Sequence, residues 1–188
     1  MPRAGLSTAA VVDHALDLID AQGAEALTLA AVAAKAGVAT PSLYKHVSGG
    51  LAELRRLVAV RTTDDLTERL AAAVLGRSRE AAVAALLTAY AGYADEFPRR
   101  YAALPQAPDP DPELSAAGGR LVEVLFAVLR GYGLAGSEAV HAARTLRATA
   151  HGYASLATAG AFQLAEGRDV TLERLTEVLV AGLAHWPS

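Results

Sequence analysis

No cysteine occurs anywhere in the 188 residues, so disulfides and thiolate metal sites are excluded, and the redox compartment stays open. Aromatic residues are scarce, at 5%. Alanine fills many apolar positions instead, which points to closely approaching helices rather than a core of large rings. No run alternates apolar and polar residues with β-branched enrichment, so strand signals are nearly missing. No apolar stretch of about 18 residues exists to cross a bilayer, and the opening MPRAGLST has no apolar signal core. The expectation is a soluble, cytoplasmic, all-α chain with no membrane partner.

Catalytic signatures are missing as well. The chain has no GxSxG or GxxxxGKS/T, the loops that support acyl and phosphoryl chemistry. His14, His46, His141, His151 and His185 include no HxxxH or HExxH pair. Glu138-x-x-His141 is an i, i+3 pair of the kind di-iron bundles use, but such sites need a second copy and two more inward glutamates. No catalytic residue, cofactor or metal is therefore expected. A metal-dependent helical-bundle enzyme using Glu138 and His141 is kept only as a remote alternative.

Net charge is −3, and it divides unevenly. Residues 1–61 carry six Lys+Arg against five Asp+Glu, or +1, and residues 62–188 carry eleven against fifteen, or −4. Bulk charge supplies little attraction to nucleic acid, so any contact with it must come from local placement. This weak charge keeps a helical protein-binding adaptor alive as the other alternative.

The most informative stretch is Leu27 to Val47, LTLAAVAAKAGVATPSLYKHV. Thr28 can cap a helix running from Leu29 to Ala36. Gly37 follows at the position where a left-handed backbone is cheap for glycine. Thr40-Pro41 gives a second start signal, a capping hydroxyl with proline at the first helical position, for a helix over 40–47. Two short helices joined by a few residues including glycine match a helix-turn-helix. Val32, Ala33 and Ala36 share one face, Val38 can plug the turn, and Leu43 and Val47 at i, i+4 both point inward. Thr40, Ser42, Tyr44, Lys45 and His46 are left outside or flanking. They are donors suited to phosphates and base edges, and none adds negative charge.

TPSLYKHV, preceded by LTLAAVAAKAGVA and a helix ending near Gly23, resembles the DNA-binding domain of tetracycline-repressor-like (TetR family) transcriptional regulators over about residues 8–60. The resemblance implies a three-helix helix-turn-helix head over 1–50. A helical-bundle body for ligand binding and dimerisation would occupy 51–188. It implies double-stranded operator DNA as partner, contacted by Thr28, Thr40, Pro41, Ser42, Tyr44, Lys45 and His46, with Ser42 and Lys45 nearest the bases. Family members often place a phosphate-binding lysine where this chain has Gly49-Gly50. The backbone amides there are expected to remain available to phosphate, with Arg55 and Arg56 able to compensate. The base-reading arginine sometimes found after Leu29 is Ala30 here, and Arg3 could reach a phosphate or the minor groove.

Elsewhere the pattern predicts a first helix capped by Ser7 or Thr8 and running to about Ala21, with Val12, Ala15, Leu16 and Ile19 inward. Further helices are expected from Leu51 to Val74, with Ser48 as cap, and over 79–97, with one more turn over 99–104. PQAPDPDPELS is an extended loop, its four prolines falling within eight residues. The helix over 113–131, apolar nearly all round, is expected to be central and buried. Ser137 and Thr171 are expected to cap two last helices, over 137–161 and 171–186. A head that reads one half-site gains from two-fold pairing, so these two helices are expected to form a homodimer interface. His151-Gly152 resembles part of a WHG-type C-terminal domain, with Ala150 where that pattern has tryptophan. Tyr90, Tyr93, Phe97, Tyr101, Phe126, His151, Tyr153 and Phe162 are candidates for lining a pocket that takes a small-molecule effector, neutral or apolar because inward cations are few.

Overall fold

The computed structural model describes residues 6–105 and 110–187. Arg3 and the centre of the proline-rich loop, residues 106–109, lie outside that range. Among the described residues the chain forms nine α-helices, one short 3-10 turn at Ala24–Ala26, and no strand. The helices are α1 (Thr8–Gln22), α2 (Leu29–Ala36), α3 (Thr40–Leu43), α4 (Gly50–Val74), α5 (Arg79–Glu96), α6 (Pro98–Ala102), α7 (Pro112–Arg130), α8 (Gly136–Thr158) and α9 (Arg168–Ala184). Among the described residues no helix is long and apolar enough to cross a membrane.

Two compact units result. The first comprises residues 1–63 and 97–115, the second 64–96 and 116–188. The first unit closes on a core from α1, α2, α3, the start of α4 and the links between them: Val11, Val12, Ala15, Leu16, Leu18, Ile19, Leu27, Val32, Ala33, Leu43, Val47, Leu54 and Val58. Val38 is partly buried against it, in the turn between α2 and α3. The inward stripe expected on the first helix is therefore present in full. Ser7, not Thr8, caps α1, accepting the Ala10 N–H at 3.1 Å. The Thr8 hydroxyl instead donates to the His46 carbonyl at 3.3 Å and ties α1 to the turn after α3.

The segment after α5 belongs to this first unit. Arg100 pairs with Asp20, and Arg99 donates to the Asp20 and Ala21 carbonyls at the end of α1, where a cation also meets the negative end of the helix dipole. Asp111 caps α7 by accepting the Glu113 and Leu114 N–H groups at 3.1 and 2.9 Å. The Leu114 amide, aided by Arg56, holds the Asp111 carboxyl below the usual carboxylate range.

In the second unit α8 and α9 pack on α5, whose Ala82, Val83, Leu86, Leu87, Tyr90, Ala91, Tyr93 and Ala94 are buried. The central helix is thus α5 and not α7. Only Ala117, Leu125, Val128 and Leu129 of α7 are buried, while Arg120, Glu123, Ala127 and Arg130 give it an exposed side. Alanines on several sides of α5 let two helices approach at once, which a count of large apolar residues does not reveal. Caps differ too. Neither Ala135 before α8 nor Gly167 before α9 supplies a side-chain cap. The last helix starts three residues earlier than Thr171, with Asp169 in its first turn and Arg168 paired to Asp95 of α5 at 3.1 Å.

Candidate nucleic-acid interface

Local chemistry builds the helix-turn-helix. Thr28 has extended backbone, and its hydroxyl oxygen accepts the Ala31 N–H at 3.1 Å, leaving the O–H proton uncommitted at an exposed position. Thr28→Ala is expected to cost about 0.5–2 kcal/mol of stability, with Thr28→Ser nearly neutral, in urea unfolding followed by circular dichroism. Gly37 closes α2 in the left-handed region at φ 69, donating to the Ala33 and Ala34 carbonyls.

The second helix departs from expectation. Ala39 occupies its N-cap without a side-chain bond, Thr40 is already helical, and Pro41 follows inside the first turn. The α-helix ends at Leu43. Beyond it His46 N–H and Val47 N–H both donate to the Leu43 carbonyl, at 2.8 and 2.9 Å. Residues 44–46 are therefore a tight turn rather than more helix. The turn delivers Val47 into the core at 0% exposure, and the chain then reverses at Gly50, φ 68, into α4.

On this frame Pro41, Tyr44 and Lys45 are exposed, while Thr40, Ser42 and His46 are half-buried. Leu43, between them, is fully buried. Among the described residues, the side chains of Thr40, Ser42, Tyr44, Lys45 and His46 spend no hydrogen bond or ion pair on the protein itself. The Tyr44 ring lies along Gly50: a Cβ at that glycine would stand 3.8 Å from its Cε1. Lys35 pairs with Asp17 at 3.2 Å and Arg61 with Asp13 at 3.5 Å. Lys45 and Arg55 are exposed and make no ion pair among the described residues.

Two expectations about the start of α4 fail. Arg56 is not available to compensate for a missing lysine, because it holds Glu113 at 2.5 Å and Asp111 at 3.4 Å. The two glycine amides are not open either. Gly50 N–H donates to the Val47 carbonyl at 2.9 Å, and Gly49 N–H to Glu53 Oε2 at 2.6 Å. Glu53, rather than Ser48, satisfies the entry to this helix. An acidic residue one turn into a helix was the signal available in the sequence.

The aromatic candidates are shared between the two units. Phe97 and Tyr101 belong to the first unit; Tyr90, Tyr93, Phe126, His151, Tyr153 and Phe162 belong to the second. Tyr90, Tyr93, Tyr101 and Tyr153 are buried, Phe97, Phe126 and His151 half-buried, and Phe162 sits at 36% exposure. Tyr153 and Phe162 rings meet at 5.4 Å, and the Tyr153 hydroxyl donates to the Arg168 carbonyl at 2.7 Å. Burial and the charge of Arg147 push the His151 imidazole below its ordinary pKa. Glu138 Oε2 accepts from the Trp186 indole at 2.9 Å while His141 is exposed, and no cluster of metal-ligand side chains forms around them among the described residues.

A helix-turn-helix with an uncommitted polar edge, carried on an all-α chain, defines a DNA-binding transcriptional regulator as the class. A family model described as bacterial regulatory proteins, tetR family, matches residues 11–48, and one described as tetracyclin repressor-like, C-terminal domain, matches 83–179. The chain belongs to the TetR family of transcriptional regulators. An uncharacterized HTH-type transcriptional regulator of Mycobacterium tuberculosis is 38% identical over 159 residues, spanning 84% of this chain and 72% of that one. Another, from Bacillus subtilis, is 33% identical over 184 residues, spanning 97% and 95%. A TetR variant from Acinetobacter baumannii AYE, solved in complex with minocycline, shares the fold at a TM-score of 0.72 and 19% identity, over 98% of this chain and 99% of that one.

Proposed function

We propose that the chain is a ligand-responsive repressor that binds operator DNA as a homodimer and leaves it when a small neutral or apolar molecule binds the body. Residues 1–50 form the reading module and 51–188 the effector and dimerisation module. Thr28, Thr40, Pro41, Ser42, Tyr44, Lys45 and His46 contact the duplex, Ser42 and Lys45 at base edges and the rest mainly at phosphates. The observation that carries this reading is the uncommitted polar edge beside the fully buried Leu43 and Val47. Its test is selection of bound fragments from genomic DNA. The outcome expected is a pseudo-palindromic site whose half-sites lie about one helical turn, or a multiple of it, apart. Recovery of unrelated fragments with no shared site would remove it.

Dimerisation is assigned to α8 and α9. Val140, Leu156, Phe162, Leu164, Val170 and Val178 are large apolar side chains exposed on these helices and the turn between them, Val178 at 68%. A second copy laying the same surface against this one buries them and places two heads on two half-sites. Val178→Glu changes a solvated position of the single chain, so it should alter monomer stability by no more than about 0.5 kcal/mol. Sedimentation is expected to show a dimer for the parent and a shift toward monomer for the variant. A variant that stays dimeric at low concentration would place the interface elsewhere.

The effector is assigned to the second unit, near Phe126, His151, Tyr153 and Phe162. The Acinetobacter baumannii protein of the same fold, solved in complex with minocycline, supports a small-molecule ligand for a chain of this fold. Effector binding would bias the population of two head arrangements, and its differential affinity for them sets how far operator binding falls.

A further inference from the structure

We propose that Glu53 is an intramolecular competitor for a DNA phosphate and thereby limits the affinity of this head for its operator. The inference rests on reading the head as a DNA-binding surface. Glu53 Oε2 accepts the Gly49 N–H at 2.6 Å and lies 3.4 Å from the Ser48 hydroxyl, which donates to it. Two donors on an exposed turn thus converge on one carboxylate oxygen, which occupies the place a phosphate oxygen would take. Gly50 N–H is bonded to Val47, so the Gly49 amide is the one of the glycine pair that an incoming anion can win.

Residue choice fits this arrangement. A Cβ at position 49 would stand 3.0 Å from Glu53 Cβ and 3.3 Å from Oε2, so glycine there is what lets the carboxylate fold back. Ser48 and Gly49 are exposed, and the Tyr44 ring reaches the adjoining Gly50, so the donors lie at the edge assigned to DNA. A duplex arriving at that edge meets a fixed negative charge on the donors it needs. It must either displace the carboxylate or bear the repulsion between like charges. The exposed Lys45 then carries a larger share of the phosphate attraction than it would in a head without this carboxylate.

The test compares parent, Glu53→Gln and Glu53→Ala for binding to the selected operator across a range of salt concentrations. Glu53→Gln keeps a carbonyl oxygen for the Gly49 amide and removes the charge. It is expected to tighten binding by roughly 3- to 10-fold at low salt, with the gain shrinking as salt screens the parent's carboxylate, so that the slope of log affinity against log salt steepens. Glu53→Ala should also tighten binding, with helix content and dimerisation checked by circular dichroism and sedimentation. Unchanged affinity and slope in Glu53→Gln, or weaker binding in either folded variant, would assign Glu53 a capping role alone and overturn the proposal. If parent and variants all bind operator no better than unrelated DNA, the DNA-reading assignment itself falls, and this role with it.

Discussion

Replacing Tyr44 and Lys45 together by alanine should reduce operator affinity by roughly 10- to 100-fold, the loss expected when contacts worth about 1–3 kcal/mol disappear. Both side chains are exposed, and neither spends a bond within the described protein, so the fold has little to lose. Circular dichroism and sedimentation should be unchanged from the parent. Lys45→Ala alone should lower the salt slope by about one unit if its ammonium meets a phosphate. It should instead relax sequence preference at one position of each half-site if the ammonium meets a base. Unchanged affinity in the folded double variant would show that DNA is bound by another surface.

Leu43→Ala acts by the opposite route, through stability. Leu43 is fully buried, in a core cluster that also holds Leu16, Ile19, Val47, Leu54 and Val58 and no aromatic ring. A cavity there is expected to cost about 2–5 kcal/mol, a large fraction of what a head of this size has in hand. Leu43→Met, which nearly conserves volume, should cost less than about 1.5 kcal/mol. Urea unfolding of the two variants measures the difference. Because Leu43 also anchors the segment that carries Ser42 and Lys45, DNA affinity should fall in Leu43→Ala even where the fold persists. A cost under about 1 kcal/mol would mean that α3 is not anchored by this side chain.

What could be read from the sequence was local chemistry. Thr28 and Gly37 bound α2 because a capping hydroxyl and a left-handed glycine act within a few residues of themselves. The inward assignment of Leu43 and Val47 followed from their spacing. Features set by distant partners were not legible. The turn over 44–46 depends on burying Val47 and on the reversal at Gly50. The early start of α9 accompanies the pairing of Arg168 with Asp95, and Arg56 is drawn off by Asp111 and Glu113, more than fifty positions along the chain. α7 looked central because periodicity counts apolar residues without saying which neighbour covers them. The return of Glu53 to Gly49 is a short-range contact, yet it requires a rotamer that spacing alone does not specify.

The central claim is that this head binds specific DNA through the α3 edge. The most direct measurement is a gel-shift titration of the purified protein against the DNA flanking its own gene, at two salt concentrations, beside unrelated DNA of equal length and with Tyr44→Ala/Lys45→Ala in parallel. The account predicts a shift on the flanking DNA that weakens steeply with salt, is far weaker on the unrelated DNA, and is lost in the double variant. Equal retention of both DNAs, or a double variant that shifts as well as the parent, would contradict it.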